Sequence, residues 1–199
     1  MPREGKTTLA VSFAVYAARL RPRVILVDFD FRHPAIPREL SREIERRPNA
    51  CVFDLIRRGQ PVEEAIQRIP AVSLDYLPVF GSPADPLRLF ASQEIRSLLR
   101  SLRENYDCVV IDSPPLLAVT EARLLASMAD KILFVVQWGN TSRELAQSAM
   151  NFLRNPGLLE NDCSIRASAV VSQVNLKKHT LYRYGDRGEC YVKYRKFLS

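Results

Sequence analysis

Residues 24–32 read Val-Ile-Leu-Val-Asp-Phe-Asp-Phe-Arg, an apolar run that ends in two carboxylates at alternate positions. Four consecutive aliphatic residues suit a strand buried on both faces, as in parallel sheets. At the two-residue period of a strand, Asp28 and Asp30 project from the same face, and acids at the carboxyl edge of a parallel sheet stand where ligands bind. Two such neighbours are costly unless a cation or a water-filled cleft offsets their charge.

Three further stretches share this character: Cys108 to Asp112 (CVVID), Ile132 to Gln137 (ILFVVQ) and Ala167 to Val174 (ASAVVSQV). A shorter, partly exposed strand is predicted from Val72 to Val79. Between them, apolar residues recur every three or four positions over Thr8 to Leu20, Ser92 to Glu104 and Ser142 to Leu153, which predicts helices. Short helices are expected around Phe53 to Arg58 and Val62 to Arg68, separated by Gly59. The alternation predicts an α/β fold with a mostly parallel sheet and helices on both faces.

Upstream of the acidic strand the chain opens Met1-Pro-Arg-Glu4-Gly5-Lys6-Thr7-Thr8 and passes straight into a helical pattern, as a phosphate-binding loop does. Gly5 admits backbone amides close to an anion, Lys6 brings positive charge to terminal phosphates, and the Thr7 hydroxyl suits Mg2+. A Gly-Lys-Thr turn that merely starts a helix is the bland alternative. Asp112, at the end of a second apolar strand before Ser113-Pro-Pro115, weighs against it: three strand-end acids beside Gly5-Lys6-Thr7 are hard to explain as caps or turn formers. The glycine that opens the full loop pattern, and the strand that feeds it, do not appear in the sequence. A P-loop-like sheet with its first strand missing is therefore expected, with a gap beside Val24 to Val27.

Composition fits a folded, non-fibrous chain: of 199 residues, 47% are hydrophobic and 26% charged. The longest strongly apolar run, Lys131 to Trp138, is far shorter than the roughly 18 to 20 residues of a membrane-spanning helix. The four cysteines, Cys51, Cys108, Cys163 and Cys190, fall at no metal-ligand or paired spacing, which fits a reducing, cytoplasmic setting. Net charge is +7, and residues 177–199 carry +5 of it, so a body of near-neutral charge ends in a basic tail. Residues 1–176 are read as one domain and 177–199 as the tail.

With these motifs in place, the sequence resembles the bacterial tyrosine autokinases of capsular and exopolysaccharide export, a branch of the deviant P-loop ATPases. VILVDFDFRHP resembles their second aspartate motif, YDCVVIDSPP their Walker B stretch, and LDYLPVFGSPADPLRLFAS the linker between. The basic, tyrosine-rich end is similar to their autophosphorylated tails. The resemblance implies that Lys6 and the amides around Glu4, Gly5, Thr7 and Thr8 hold the phosphates of ATP, and that Thr7, Asp28 and Asp112 organise Mg2+. It further implies Asp30 as the base for an incoming tyrosine hydroxyl, and a catalytic set of Lys6, Asp28, Asp30 and Asp112. Tyr182, Tyr184, Tyr191 and Tyr194 become the expected autophosphorylation sites.

The resemblance also implies a membrane-anchored polysaccharide co-polymerase as activator, a place at the inner face of the plasma membrane through that partner, and self-association by tail-to-active-site contacts. No nucleic-acid partner is expected. Each phosphate brings about −1.5 to −2 charges, so modifying the tail would reverse its sign. Three departures from the family pattern stand out: Arg3 replaces a loop glycine, Glu121 replaces an aspartate after Walker B, and Ser172 stands where an adenine-reading asparagine is expected. A partitioning-type ATPase and a catalytically degenerate, kinase-like regulatory partner are the competing readings.

Overall fold

The computed structural model describes residues 4–31, 62–78, 85–154 and 166–176. Helix α1 (Lys6–Leu20) leads into strand β1 (Val24–Asp28), followed by two short strands, β2 (Gln67–Ile69) and β3 (Leu74–Leu77). Helices α2 (Pro86–Phe90) and α3 (Gln93–Asn105) precede β4 (Cys108–Asp112). Helix α4 (Thr120–Met128), β5 (Lys131–Gln137), α5 (Arg143–Arg154) and β6 (Arg166–Ser172) complete the order.

The strands form a four-stranded sheet, β2-β3-β1-β4, and a two-stranded sheet, β5-β6. All pairings are parallel except the β2–β3 hairpin. Because side chains alternate along β1, its two faces feed two separate cores. Ile25, Val27, Phe29 and Phe31 pack with Phe90, Ile95, Leu98, Leu102 and Leu125, contributed by α2, α3 and α4. Val24 and Leu26 face the other way, onto Ala14 and Ala17 of α1 with Leu74 and Tyr76 of β3. Each large aliphatic side chain buried in this way contributes about 1.5–3 kcal/mol, so β1 is the keel of the sheet. Every residue of β1 is buried, as its unbroken apolar run requires.

Three expectations change. First, the gap does not lie beside Val24 to Val27: β1 pairs with β3 on one side and with β4 on the other, and among the described residues β5 and β6 form a sheet of their own. Second, the helix expected over Val62 to Arg68 is only a 3-10 turn, Val62–Glu64, after which Gln67–Ile69 is a strand. Pro70 cannot donate to a continuing helix, and the turn Pro70–Val72, closed by Ser73 in the left-handed region (φ 53°), folds the chain back so that Ile69 pairs with Leu74. Third, the strand expected from Val72 to Val79 is shorter, Leu74–Leu77, and lies inside the sheet with Leu74, Tyr76 and Leu77 buried and Asp75 half-buried. The helix expected at Phe53 to Arg58 and the tail after residue 176 lie outside the described residues.

Candidate nucleotide and metal site

The site is built where α1 begins and where β1 and β4 end. Gly5 is the N-cap of α1 at φ 85°, a left-handed conformation that glycine adopts at no steric cost. Its carbonyl accepts the amide of Leu9 at 2.9 Å, which closes the first helical turn. Helices α2, α3 and α5 begin on a capping side chain: Asp85 accepts from the amide of Arg88, Ser92 from that of Ile95 and Ser142 from that of Leu145. No side chain caps α1. An N-terminus without a side-chain cap, at the positive end of the helix dipole, is the kind of helix end that receives an anion.

Beside this loop, the parallel register sets Asp28 of β1 opposite Asp112 of β4. The pairing runs one residue further, because the amide of Phe29 donates to the Asp112 carbonyl at 2.8 Å. Asp28 Oδ1 in turn accepts the backbone amide of Asp30 at 3.1 Å, a local turn that brings the second acid back toward the first. Asp28, Asp30 and Asp112 are all nearly buried. Burial pushes the Asp112 carboxyl above the ordinary range; the Thr7 hydroxyl, hydrogen-bonded to it, and the nearby Lys6 charge pull it back down, while Asp30 pushes it up. Lys6, Thr7 and Asp30 thus each lie within electrostatic reach of Asp112, with Asp28 in register beside it.

The aromatic residues of this motif do separate work. Phe29 and Phe31, which alternate with the acids, point to the opposite face and meet Phe90: Phe29 is edge-on to both rings, and Phe31 stacks on Phe90 with centroids 4.8 Å apart. The three rings hold the strand end on the face opposite the acids.

A cation fits this donor set. Among the described residues no group of three or more His, Cys, Asp or Glu side chains gathers at ligating distance. Mg2+ is commonly held by only one or two carboxylates, its remaining positions filled by water and substrate phosphates. Asp28, Asp112 and the Thr7 hydroxyl supply that kind of hard-oxygen set.

Glu4, expected among the cofactor-binding loop residues, also makes contacts that turn inward. Its side chain is 3% exposed and accepts a hydrogen bond from Thr141 Oγ1 at 2.8 Å, facing into the protein. Ser172 has a role that sequence reasoning missed: its hydroxyl donates to the Glu4 carbonyl at 2.6 Å. Glu121 is buried in the first turn of α4. Tyr76, from β3, was also unanticipated as a neighbour of the acids; burial, with Asp28 and Asp112 nearby, pushes its hydroxyl well above the ordinary phenolic range. A tyrosine in a short strand carries no sequence signal for such a position. Arg3, Arg32 and the four tail tyrosines lie outside the described residues.

Comparison with known proteins agrees with this geometry. Residues 4–156 match the AAA domain family. The chain is 29% identical over 184 residues to the tyrosine-protein kinase YwqD of Bacillus subtilis, covering 92% of this chain and 73% of that protein. It is 27% identical over 194 residues to the putative tyrosine-protein kinase EpsB of Ralstonia nicotianae, spanning 98% of this chain but only 24% of that longer protein. Among solved structures, the kinase domain of VpsO superposes with a TM-score of 0.74 at 27% identity, over 88% of this chain and 81% of that one.

Proposed function

For a chain that belongs to the AAA domain family, and within it to the bacterial tyrosine kinases of the exopolysaccharide-export type, we propose an ATP-dependent protein-tyrosine autokinase activity carried by the loop at Gly5 and the acids of β1 and β4. The observation that carries the reading is the register of Asp28 against Asp112, with the Thr7 hydroxyl on Asp112. Phosphoryl transfer asks a protein mainly for in-line positioning and charge neutralisation, and these residues supply both.

The uncapped amides of α1 and the Lys6 ammonium hold the β- and γ-phosphates. Thr7, Asp28 and Asp112 are the residues that would hold Mg2+, which would supply neutralisation of charge developing on the phosphate oxygens. Asp30 accepts the phenolic proton of an incoming tyrosine as its oxygen bonds to the γ-phosphorus, and the bond to the β–γ bridging oxygen breaks to release ADP. A phenol of pKa about 10 is mostly protonated at neutral pH, so a carboxylate turned toward the same patch is useful. Tyr182, Tyr184, Tyr191 and Tyr194 are the acceptors in this reading, delivered by the basic tail of a neighbouring copy. A membrane-anchored polysaccharide co-polymerase is the proposed activator, and the inner membrane face the proposed location. Among the described residues, no helix is long and apolar enough to cross a membrane.

The test is incubation of the purified chain with ATP and Mg2+, followed by phosphotyrosine mapping. Phosphate on the tail tyrosines, lost in Asp112→Asn, is the expected result. Release of inorganic phosphate without phosphotyrosine would replace this reading with a positioning-type ATPase, and neither product would leave a binding partner without catalysis.

A further inference from the structure

We infer that Glu4 is a positioning residue, whose buried carboxylate, held by Thr141 in the turn after β5, fixes the phosphate-binding loop to the second sheet and so sets nucleotide affinity from outside the loop's own motif. The inference rests on the reading of Gly5-Lys6-Thr7 as a phosphate loop.

Glu4 is gripped at two points. Its Oε1 accepts from the Thr141 hydroxyl at 2.8 Å, and its carbonyl accepts from the Ser172 hydroxyl at 2.6 Å. These partners are 137 and 168 residues away in sequence, so no local loop motif accounts for them. The direction of the first bond is determined. A threonine hydroxyl has one proton to give, and Thr141 Oγ1 already accepts the backbone amide of Gln137 at 3.2 Å, so its proton goes to the carboxylate, which when ionised only accepts. A charged acceptor makes this bond stronger than one between neutral groups.

The turn that presents Thr141 is itself tied to both strands of the second sheet. The amides of Asn140 and Thr141 donate to the Gln137 carbonyl at 3.3 and 3.1 Å, and Gly139 takes φ 73°, as a tight reversal requires. Trp138 donates from its amide to the Ser172 carbonyl at 3.0 Å, and the Gln137 amide group donates to Gln173 at 2.8 Å. Glu4 is thus anchored to a well-connected support, and the residue it precedes is Gly5, from which Lys6 and Thr7 follow directly. A loop held in its binding conformation before the nucleotide arrives loses less freedom on binding, so an anchor one residue from the loop has leverage on affinity.

The experiment compares the wild-type chain with Thr141→Val, which removes the donor at nearly equal volume, and Thr141→Ser, which keeps it. Two quantities are read: the KM and kcat for ATP with Mg2+ in autophosphorylation, and hydrogen exchange of the segment containing residues 4–8 without nucleotide. For Thr141→Val we expect the KM to rise about tenfold, the loss of one charge-assisted hydrogen bond, with kcat within about twofold. Exchange at residues 4–8 should accelerate without matching change in β1 or β4, and Thr141→Ser should restore both readouts. Glu4→Gln, which keeps an acceptor but no charge, should fall between. Unchanged exchange at residues 4–8 in Thr141→Val would overturn the inference, as would acceleration spread evenly through both sheets. If the wild-type chain consumes no ATP, the nucleotide reading fails, and the exchange measurement alone still decides whether Thr141 anchors the loop.

Discussion

Asp28 and Asp112 face each other as register partners on adjacent parallel strands, and both are nearly buried. Two carboxylates so placed oppose each other, and the Thr7 hydroxyl and the Lys6 charge, both within reach of Asp112, offset part of that cost.

Replacing Asp112 with Asn should therefore separate function from stability. Autophosphorylation should be lost, while the nucleotide-free chain should gain about 1 kcal/mol, since a buried charge beside other acids is removed. The sign of the pH dependence follows from burial, which raises the Asp112 carboxyl above its ordinary value of 3.8. The folded chain then holds this proton longer than the unfolded chain, so the group's contribution to stability falls as pH rises from about 3.8 through the raised value. Denaturant titrations across that range should show this slope in the wild type and its absence in Asp112→Asn.

Gly5→Ala tests the loop's backbone. An added methyl group would have its nearest neighbours in Gln173 and Ser172, at 3.9–4.0 Å, so the penalty comes from φ 85° and not from crowding. Forcing a non-glycine residue into this region costs roughly 1–2 kcal/mol. ATP affinity, read by titration calorimetry, should fall about tenfold or more while the melting temperature drops by only a few degrees.

The strand readings of β1 and β4 agree closely with the sequence because each is a continuous aliphatic run of strand length ending in an acid. The three main helices were legible from their period. The β2–β3 hairpin was not: Gln67-Arg-Ile69 shows no alternation over so short a span, and its strand state depends on pairing with Leu74–Leu77, a tertiary contact. At the site, Lys6, Thr7, Asp28, Asp30 and Asp112 could be named because loop and strand-end motifs are local. Thr141 and Tyr76 could not, nor could the bond from Ser172 to the Glu4 carbonyl, since only folding brings these groups to the same end of the molecule.

Tyr106 offers a second titration. Its hydroxyl donates to Asp75 Oδ2 at 3.0 Å, and Asp75 also pairs with Arg68 at 2.7 Å. Burial, then the bond to Asp75, pushes the phenol up to about 12. The unfolded chain ionises first, so this contribution to stability is complete below about 10 and is lost as pH rises toward 12. Tyr106→Phe should cost about 1 kcal/mol at neutral pH and flatten the alkaline decline, as followed by circular dichroism together with phenolate absorbance.

Phe90→Ala should destabilise the chain by about 3–5 kcal/mol, measured by chemical denaturation, because the ring is fully buried against Phe29 and Phe31. Under mild conditions, where most molecules remain folded, autophosphorylation should fall by more than the folded fraction does.

That last expectation comes from the alternation Asp28-Phe29-Asp30-Phe31, which sews the reactive edge to the oily interior stitch by stitch. Neither side of the seam can drift without pulling the other. Mutations that tune the chemistry here must therefore be compatible with the packing beneath, and drift in the interior will be felt first as a blunted enzyme, well before it is seen as an unfolded one.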